Sequence, residues 1–425
     1  MAERTTQELL ALSRAAASQM RALSEEDVNA ALHAMAEALW RHKEAILKAN
    51  GLDLALAKGV VRESMLDRLL LNEARLLAMI EGIRALISQD VPFGALLDSY
   101  THPNGLKITR VSVPLGVVGV IYESRPNVTS DAAALAIKSG NAVLLRSGKE
   151  AWHSAKAIVD AFREALAMTV IPQDAILLVE DKSRTSAEVM MKANHELDLL
   201  IPRGGRSLIA SCVANATVPC IETGTGICHI YVDGEADLDK ALRIVDNAKT
   251  SRPSVCNAAE VLLVEASVAP VFLPRLYQVL VSEREEKGLT AVALRCDALA
   301  YAALQGYEGV TEAGEDDFDC EFLDLILAVK VVSGVKEAIA HIAAHSTGHS
   351  EAIVTENPDT ARTFTNQVDS AAVYVNASTR FTDGGEFGLG CEMGISTQKL
   401  HARGPFGLRA LVSYKYVIQG NGQIR

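Results

Sequence analysis

A cysteine nucleophile is the first chemistry that the residues suggest. Residues 251–256 read Ser-Arg-Pro-Ser-Val-Cys, and this turn falls between two stretches of alternating strand and helix pattern, where ligands tend to bind in α/β folds. The thiolate of Cys256 would be a strong nucleophile, and the positive charge of Arg252, close to it in sequence, would favour the thiolate over the thiol. On residue type alone, a buried structural cysteine is the alternative interpretation.

Two regularly spaced sets of residues could bind a metal ion. They are Cys212, Cys220 and Cys228, and His341, His345 and His349. The cysteines recur every eight residues, whereas zinc sites use closer pairs, so we predict that they are buried thiols. The histidines would share one helix face, but the Ser-Thr-Gly run at 346–348 ends a helix before His349. We therefore predict core or pocket histidines and no metal, with His349 as a candidate for the substrate site.

Two kinds of element have to position these side chains. Apolar residues recur at helical spacing over 7–47 and 63–86, and residues 24–27, Ser-Glu-Glu-Asp, have the cap and first-turn acids of a helix start. From Lys107 onward, short apolar runs alternate with helical segments, and the β-branched run Val117–Tyr122 is typical of a strand buried on both faces.

The alternation continues to the end of the chain. We predict further strands at 108–113, 142–145, 175–179, 197–201, 259–265, 323–332, 351–355, 373–376 and 410–418, and helices at 130–139, 151–167, 185–193, 268–285 and 336–344. Repeated βαβ units predict parallel sheets with helices on both faces, because right-handed crossovers require that arrangement. The expected fold class is therefore α/β and doubly wound.

Composition limits the class of protein. The chain has 425 residues, enough for two or three domains, and its formal net charge of −12 argues against a nucleic-acid partner. An anionic substrate would need cations gathered in a pocket. Seven scattered cysteines indicate a reducing compartment rather than a disulfide framework. Residues 1–19 are too polar for a signal peptide, and the longest apolar run, 111–122, is shorter than the about 20 residues of a membrane span. We expect a cytoplasmic protein without a membrane partner.

Six stretches spread over nearly the whole chain carry a family resemblance. Residues 114–122 read Pro-Leu-Gly-Val-Val-Gly-Val-Ile-Tyr and 123–129 read Glu-Ser-Arg-Pro-Asn-Val-Thr; the others are 201–205, 332–353, 374–385 and 396–407. Together they resemble the aldehyde dehydrogenase superfamily and, within it, the branch of reductases that act on γ-glutamyl phosphate in proline biosynthesis. No single stretch would be specific enough alone.

The resemblance implies an aldehyde-dehydrogenase-like architecture of two doubly wound α/β domains and a β-strand oligomerisation arm. An NADPH-binding domain with an N-terminal helical layer would take 1–98 and 114–250. A catalytic domain carrying the nucleophilic cysteine would take 251–403. The arm would take 99–113 and 404–425.

The resemblance also implies a reaction. NADPH-dependent reduction would take L-glutamyl 5-phosphate to L-glutamate 5-semialdehyde, with release of phosphate and a thioester on Cys256. Oxyanions form on this path, so the site needs fixed hydrogen-bond donors. Asn127 matches the side-chain donor of the superfamily, and the backbone N–H of Cys256 would be the second donor. From the residues alone, Asn127 could instead be a turn residue after Pro126.

Glu222 aligns with the general base of the superfamily. In hydrolytic members this carboxylate activates water to cleave the thioester. Here phosphate should be the acceptor in the reverse direction, and an activated water would hydrolyse the intermediate. Glu222 therefore has two interpretations, a catalytic carboxylate or a strand-end carboxylate near the nicotinamide.

Cofactor binding is expected without a Gly-x-Gly-x-x-Gly fingerprint, because the superfamily uses a glycine turn and a helix N-terminus near the pyrophosphate. The resemblance assigns the residues Arg203, Gly204, Gly205, Ser207, Thr223, Gly224 and Glu321, the last at the nicotinamide ribose. Arg146 and Lys149 follow the strand whose end meets the adenosine ribose in this superfamily. Two cations there suit a 2′-phosphate and hence NADPH, while an ordinary basic turn is the alternative.

Substrate binding needs groups for a carboxylate, an amino group and a phosphate. Arginine binds such anions in a bidentate manner, which makes three arginines candidates. The resemblance places residues 376–383, and with them Ser378, at the pocket. With His349 from the histidine series, the set is Arg125, Arg252, His349, Ser378 and Arg380. Each arginine alone could equally be a surface ion-pair residue.

Assembly is expected from the arm. The strand at 100–113 and the terminal strand at 410–418 resemble the subunit-bridging arm of the superfamily, which implies a dimer or tetramer. The resemblance is also compatible with functional association with glutamate 5-kinase, which makes the labile substrate.

Three competing functions remain open at this point. A hydrolytic aldehyde dehydrogenase predicts activity without phosphate and a required Glu222. A cysteine hydrolase or acyltransferase predicts turnover without a nicotinamide and a histidine beside Cys256. A non-catalytic assembly protein of the same fold is disfavoured by the presence of Cys256, Asn127 and Glu321.

Overall fold

The computed structural model describes residues 4–61 and 63–425, with backbone alone for Glu63 and Ser64. Two compact units are present. Unit 1 runs to Thr223 and also includes Gly388–Gly394 and Leu400–Arg425, whereas unit 2 consists of Gly224–Phe387 and Ile395–Lys399.

The helices are α1 Thr6–Gln19, α2 Glu25–Arg41, α3 Lys43–Ala57, α4 Glu63–Leu69, α5 Glu73–Ile87, α6 Pro126–Lys138, α7 Trp152–Leu166, α8 Arg184–Met191, α9 Arg206–Asn215, α10 Leu238–Thr250, α11 Ala269–Tyr277, α12 Glu283–Glu286, α13 Ala298–Ala303, α14 Val335–His345 and α15 Pro358–Gln367. A π-helical turn, Gln278–Ser282, joins α11 to α12. The described part of the chain has no helix with both the length and the apolarity that a membrane span requires.

The strands are β1 Leu96–Thr101, β2 Lys107–Pro114, β3 Val117–Tyr122, β4 Ala142–Ser147, β5 Ile176–Leu178, β6 Leu199–Arg203, β7 Cys228–Val232, β8 Ala259–Glu265, β9 Ala293–Cys296, β10 Val310–Glu312, β11 Ile326–Val332, β12 Ser350–Val354, β13 Ala372–Val375, β14 Gly394–Ser396, β15 Gly404–Phe406 and β16 Val412–Gln419.

Unit 1 is built on a parallel sheet in the order β5-β4-β3-β6. Every residue of β3 is buried, as its β-branched sequence predicts. The N-terminal helices pack on this unit, with α2 against α5, α6 and α7. Ser24 caps α2 by a reciprocal hydrogen-bond pair with Asp27, which confirms the helix start read from the sequence.

A second sheet of unit 1 is antiparallel and follows the order β1-β2-β16. β16 pairs with β2 along its whole length, from Val412 opposite Pro114 to Gln419 opposite Lys107. All six residues of β1 and most of β16 are exposed. β2 and β16 overlap the predicted arm segments 99–113 and 404–425, while β1 begins at Leu96, three residues before the first of them.

Unit 2 contains a seven-stranded parallel sheet in the order β10-β9-β11-β8-β7-β12-β13. β8 is buried through Val264 and has β7 and β11 as neighbours. The turn that carries Cys256 leads directly into β8, so the sheet fixes the end of that turn.

The predicted α/β class with parallel sheets is confirmed, and two of the details that differ from the prediction concern the site. β7 and α10 belong to unit 2, so the expected domain boundary after 250 falls inside unit 2 rather than between the units. α6 begins at Pro126 instead of 130, because proline is well tolerated in the first helical turn. Asn127 is consequently a helix residue and not a turn residue.

Candidate active site

The turn that carries Cys256 is held by the residue after it. Cys256 itself is half-buried, and Asn257 is buried. The Asn257 Nδ2 donates to the backbone carbonyls of Thr382 at 2.9 Å and Arg380 at 3.3 Å, while its Oδ1 accepts from Arg380 Nη1. Thr379 Oγ1 donates to the Asn257 carbonyl at 2.7 Å. Asn257 thus joins the nucleophile turn to residues 379–382 by four hydrogen bonds.

The carbonyl of Cys256 packs against two residues near β7. Cys228 Sγ donates to this oxygen at 3.2 Å. Gly226 lies so close that a Cβ built on it would be 1.5 Å from the same oxygen. The Gly226 N–H donates to Glu321 Oε1 at 2.9 Å. Only glycine fits at 226, and this glycine connects the cysteine turn to the carboxylate predicted at the nicotinamide ribose.

A buried polar chain extends from Cys228. His349 Nδ1 lies 3.7 Å from Cys228 Sγ and 2.8 Å from Ser350 Oγ. Thr382 Oγ1 lies 2.7 Å from Ser350 Oγ and 2.7 Å from Tyr374 Oη. His349 therefore sits beside the Cys256 turn, linked to it through Cys228, and it follows the end of α14 as predicted.

Arg380 is the predicted substrate residue with the best-defined setting. Its Nε donates to Ser251 Oγ at 3.1 Å and its Nη1 donates to Asn257 Oδ1, while Ser378 Oγ caps its backbone N–H at 3.3 Å. Burial lowers the pKa of the Arg380 guanidinium, and the positive charge of Arg252 lowers it further. The negative charges of Asp383 and Cys256 oppose this shift. The guanidinium is thus within electrostatic range of both Cys256 and Arg252.

A buried ion pair of unit 2 was missed by the sequence analysis. Lys249 Nζ lies 2.5 Å from Glu260 Oε2, and both side chains are wholly buried. Burial raises the pKa of Glu260 and lowers that of Lys249, and each charge opposes the shift of the other. Glu260 Oε1 also accepts from the backbone N–H of Leu323, which has a positive φ of 55°. The sequence did offer one signal for this pair, because an acid within the mostly apolar strand β8 indicates a buried partner of opposite charge.

The glycine turn of unit 1 has the predicted form. β6 ends at Arg203, Gly204 and Gly205 follow, and α9 begins at Arg206 with Gly205 at the N-cap, a residue that has no side chain to cap the first turn. A Cβ on Gly204 would lie 2.5 Å from Glu123 Oε2, and the Gly205 N–H donates to that same oxygen at 3.0 Å. An anionic oxygen therefore already lies at this helix N-terminus, which is the behaviour expected of an anion-binding end.

The other predicted site residues near this turn in sequence have mixed surroundings. Arg203 is buried, with Nη2 3.6 Å from Glu392 Oε1, and Thr223 Oγ1 donates to the Pro202 carbonyl at 2.8 Å, so both brace β6. Ser207 is exposed in the first turn of α9, and Glu222 is half-buried in the irregular segment after α9. In unit 2, Gly224 donates its N–H to the Ile395 carbonyl at 3.0 Å.

Arg146, near the end of β4, and Lys149, just after it, differ in how far their side chains are exposed. Arg146 Nη2 donates to the carbonyls of Ser183 at 3.0 Å and Lys182 at 3.3 Å, and burial lowers its pKa against the nearby acids Glu150 and Glu123. Lys149 is exposed at the start of the next helical turn. Lys149 is therefore the more accessible of the two cations.

Asn127 is exposed in the first turn of α6, and its side chain is not isolated. Its Nδ2 donates to Asp131 Oδ2 at 3.1 Å, one helical turn later. Burial raises the pKa of Asp131 to about 7, although hydrogen bonds from Asn127 and Cys391 lower it. Arg125 is half-buried immediately before the helix, at its N-cap position.

The cysteine and histidine series are not clustered as metal ligands. Among the residues described, no group of three or more His, Cys, Asp or Glu side chains could hold a metal ion. Cys212 and Cys228 are buried and Cys220 is half-buried, and burial raises the pKa of all three thiols. The buried-thiol prediction is right for Cys212 and Cys228 and only partly so for Cys220.

Comparison with known proteins bears on this site. The model of the aldehyde dehydrogenase family matches residues 1–290. A γ-glutamyl phosphate reductase of Streptococcus suis (strain 05ZYH33) is 60% identical over 421 residues, covering 99% of this chain and 100% of that protein. The enzyme of that name from Neisseria meningitidis (strain Z2491) is 59% identical over 420 residues, covering 99% of each chain.

A solved structure agrees with these relatives. The crystal structure of γ-glutamyl phosphate reductase from Thermotoga maritima superposes with a TM-score of 0.92 at 47% identity, covering 99% of this chain and 100% of that one. An acetylating aldehyde dehydrogenase from Geobacillus thermoglucosidasius reaches a TM-score of 0.70 at 18% identity, which supports the fold alone.

Proposed function

This chain belongs to the aldehyde dehydrogenase family and, within it, to the γ-glutamyl phosphate reductases, and we propose that it reduces L-glutamyl 5-phosphate to L-glutamate 5-semialdehyde with release of phosphate. This is the second step of proline biosynthesis from glutamate. The observation that carries the proposal is full-length identity of 60% to a reductase of that name. The fixed Cys256 turn at the start of a central strand supports it.

Cys256 is proposed as the nucleophile. Its thiolate attacks the acyl carbon of the substrate, the bond to the phosphate oxygen breaks, and phosphate leaves with the electron pair. A reduced nicotinamide, when bound, supplies the hydride that converts the resulting thioester into a hemithioacetal. Collapse of the hemithioacetal releases the aldehyde and regenerates the thiolate. The contacts of Asn257, Gly226 and Cys228 support this role, because they fix the backbone from which the sulfur projects.

Oxyanion stabilisation is proposed for the backbone N–H of Cys256 and the side chain of Asn127. A rigid backbone donor loses little by reorganisation when charge develops. The hydrogen bond to Asp131 supports the Asn127 assignment, since it orients the amide and uses one of its two N–H groups. We assign Glu222 no water-activating role, because activated water would compete with phosphate for the thioester.

The chain uses a nicotinamide cofactor, as its family does, and we propose that this cofactor is NADPH. The turn of Gly204 and Gly205 at the start of α9 fits the pyrophosphate, because its helix N-terminus already attracts a carboxylate. The exposed Lys149 would bind the 2′-phosphate, and the half-buried Arg146 would add positive charge. Three residues of unit 1, Ser207, Thr223 and Arg203, would line or brace this turn. The resemblance also assigns two residues of unit 2, Gly224 and, at the nicotinamide ribose, Glu321. Unit 1 is thus proposed as the cofactor unit and unit 2 as the catalytic unit.

The anionic ends of the substrate are proposed to bind arginines. Arg380 is the strongest candidate, because its guanidinium is held by the uncharged acceptors Ser251 and Asn257 and keeps its positive charge. Arg252, Ser378 and His349 belong to the same unit, and Arg125 is proposed from the family resemblance.

Subunit association is proposed through the antiparallel sheet β1-β2-β16. Its two edge strands present unpaired backbone groups, and Tyr100, Tyr416 and Ile418 are more than half exposed. A homodimer or tetramer would cover them. Residence in the cytoplasm and association with glutamate 5-kinase stay predictions.

Phosphate dependence tests the reductase proposal. The reverse reaction, NADP⁺ reduction by glutamate semialdehyde, should require phosphate, because phosphate is the acceptor of the thioester. The Cys296→Ala variant, which removes a buried thiol of β9, should behave as wild type. Steady turnover at the same rate with and without phosphate would mean that the product is an acid and that the acyl-phosphate assignment is wrong.

A further inference from the structure

Asn257 makes more hydrogen bonds than a turn residue needs. It is buried, it uses both ends of its amide, and each partner lies within residues 380–382. Its backbone carbonyl is bound by Thr379 as well. A residue that served only to close the Cys256 turn would bond within that turn. Asn257 instead bonds to a segment more than a hundred residues later in sequence.

The amide has a specific relation to Arg380. Arg380 is anchored at two points, Nη1 on Asn257 Oδ1 and Nε on Ser251 Oγ. Two anchors on different nitrogens fix the plane of a guanidinium, since its five N–H donors form one rigid fork. Both acceptors are uncharged, so the anchoring fixes direction without neutralising the cation. A carboxylate in place of either acceptor would compete with an anionic ligand.

The charges around Arg380 are also defined. Asp383 and Glu386 favour its charged form, Arg252 disfavours it, and Cys256 is within electrostatic range. Asn257 is covalently next to Cys256. The same amide therefore sets the position of the cation and adjoins the nucleophile.

We propose that Asn257 is a positioning residue that orients Arg380 toward an anionic end of the substrate and keeps that cation in register with Cys256. The inference rests on the proposed reductase function and deepens it, because it assigns the alignment of the bound carboxylate or phosphate to one amide. Asn257 does not touch the reacting atoms; it acts through Arg380.

A double-mutant cycle on Asn257 and Arg380 tests this role. Asn257→Ala, Arg380→Ala and the double variant are compared with wild type by kcat/KM for glutamate semialdehyde, with saturating NADP⁺ and phosphate. Loss of one hydrogen bond of ordinary strength corresponds to about ten-fold, so Asn257→Ala should lose about ten-fold in kcat/KM, chiefly through KM for the semialdehyde. In the Arg380→Ala background the same change should cost less than about two-fold, because coupled residues are not additive. KM for NADP⁺ should not change.

Two further variants separate positioning from stability. Asn50→Ala is the matched control, because Asn50 is equally buried and makes three side-chain hydrogen bonds within unit 1; it should lower the melting temperature and leave kcat/KM unchanged. Asn257→Asp keeps an oxygen acceptor for Arg380 but makes it a carboxylate, which competes with an anionic ligand, so this variant should lose at least about ten-fold in kcat/KM.

Several results would overturn the proposal. They are an undiminished loss from Asn257→Ala in the Arg380→Ala background, wild-type kinetics for Asn257→Asp, and wild-type kinetics for Asn257→Ala. Failure of the reductase function itself is distinguishable, since it would show in the wild-type enzyme as turnover independent of phosphate.

Discussion

Substitution of Gly226 by alanine is the sharpest perturbation that the site offers. A Cβ at this position would lie 1.5 Å from the carbonyl oxygen of Cys256, 2.5 Å from its carbonyl carbon and 3.0 Å from its Cα. Ordinary contacts between heavy atoms lie at about 3.5 Å, so the two backbones would have to separate by roughly 2 Å. Both sides of the clash are backbone, and no flexible side chain can move aside.

The displacement should act on catalysis more than on cofactor binding. A misplacement of about 1 Å in a reacting group can cost about 100-fold, so we expect Gly226→Ala to lose at least about 100-fold in kcat. The same shift should strain the hydrogen bond from Gly226 N–H to Glu321 and weaken the nicotinamide end of cofactor binding. The assay is NADP⁺ reduction by glutamate semialdehyde and phosphate, with NADP⁺ affinity measured by calorimetry and folding checked by circular dichroism.

Gly314→Ala is the matched control in unit 2. The nearest atom to a Cβ there is Asp317 Oδ2 at 3.6 Å, an ordinary contact, so this variant should keep wild-type kcat. If a folded Gly226→Ala protein kept more than about a tenth of wild-type kcat, the close packing of Gly226 on the Cys256 carbonyl would not be what positions the nucleophile.

Three further predictions concern other parts of the chain. Lys249→Met should lower the free energy of unfolding in urea by about 3–5 kcal/mol, because it leaves the Glu260 carboxylate buried and unpaired. Adding Glu260→Leu to the same chain should recover much of this loss. Equal stability of the single and the double variant would contradict the reasoning. Asp131→Asn should raise the melting temperature at pH 8 but not at pH 4. The pKa of Asp131 in the folded protein is raised from 3.8 to about 7, so the stability of the wild-type chain falls as pH rises between these values. A difference in melting temperature between variant and wild type that did not grow with pH would contradict the reasoning. Lys149→Glu should lower the preference for NADPH over NADH, measured as the ratio of the two kcat/KM values, by about ten-fold or more. This is the effect of losing one hydrogen bond to a charged group. An unchanged ratio would show that Lys149 does not bind the 2′-phosphate.

The strands that the sequence predicts best are those with mostly apolar runs. β3 and β8 have the predicted bounds, because burial leaves an apolar run that is unbroken in β3 and contains one acid, Glu260, before its last residue in β8. β7 was not predicted, since its His229 is a polar residue in a five-residue strand. Its burial depends on Glu351 in β12, whose carboxylate accepts from the His229 N–H at 2.7 Å. A pairing between residues so distant in sequence leaves no local pattern.

The residues of the site, like the strands, could be predicted only where the signal is local in sequence. Cys256 could be singled out from its turn and the family resemblance. The residues that hold it could not, because Gly226, Cys228 and Asn257 act through contacts with segments far away in sequence. A glycine required by a backbone contact and a glycine of a flexible loop look alike in one sequence. For Lys249 and Glu260, a buried charge becomes interpretable once its partner is known.

A burst experiment tests the central claim, a thioester on Cys256, most directly. Wild-type enzyme is mixed with NADP⁺ and glutamate semialdehyde in the absence of phosphate, and NADPH formation is followed on a rapid time scale. We expect a burst of about one NADPH per active site and then arrest, because the thioester has no acceptor, with turnover restored when phosphate is added. Cys256→Ala should give no burst while still binding NADP⁺. A burst from Cys256→Ala, or continuous wild-type turnover without phosphate, would contradict the assignment of Cys256 as the nucleophile of a phosphate-dependent reductase.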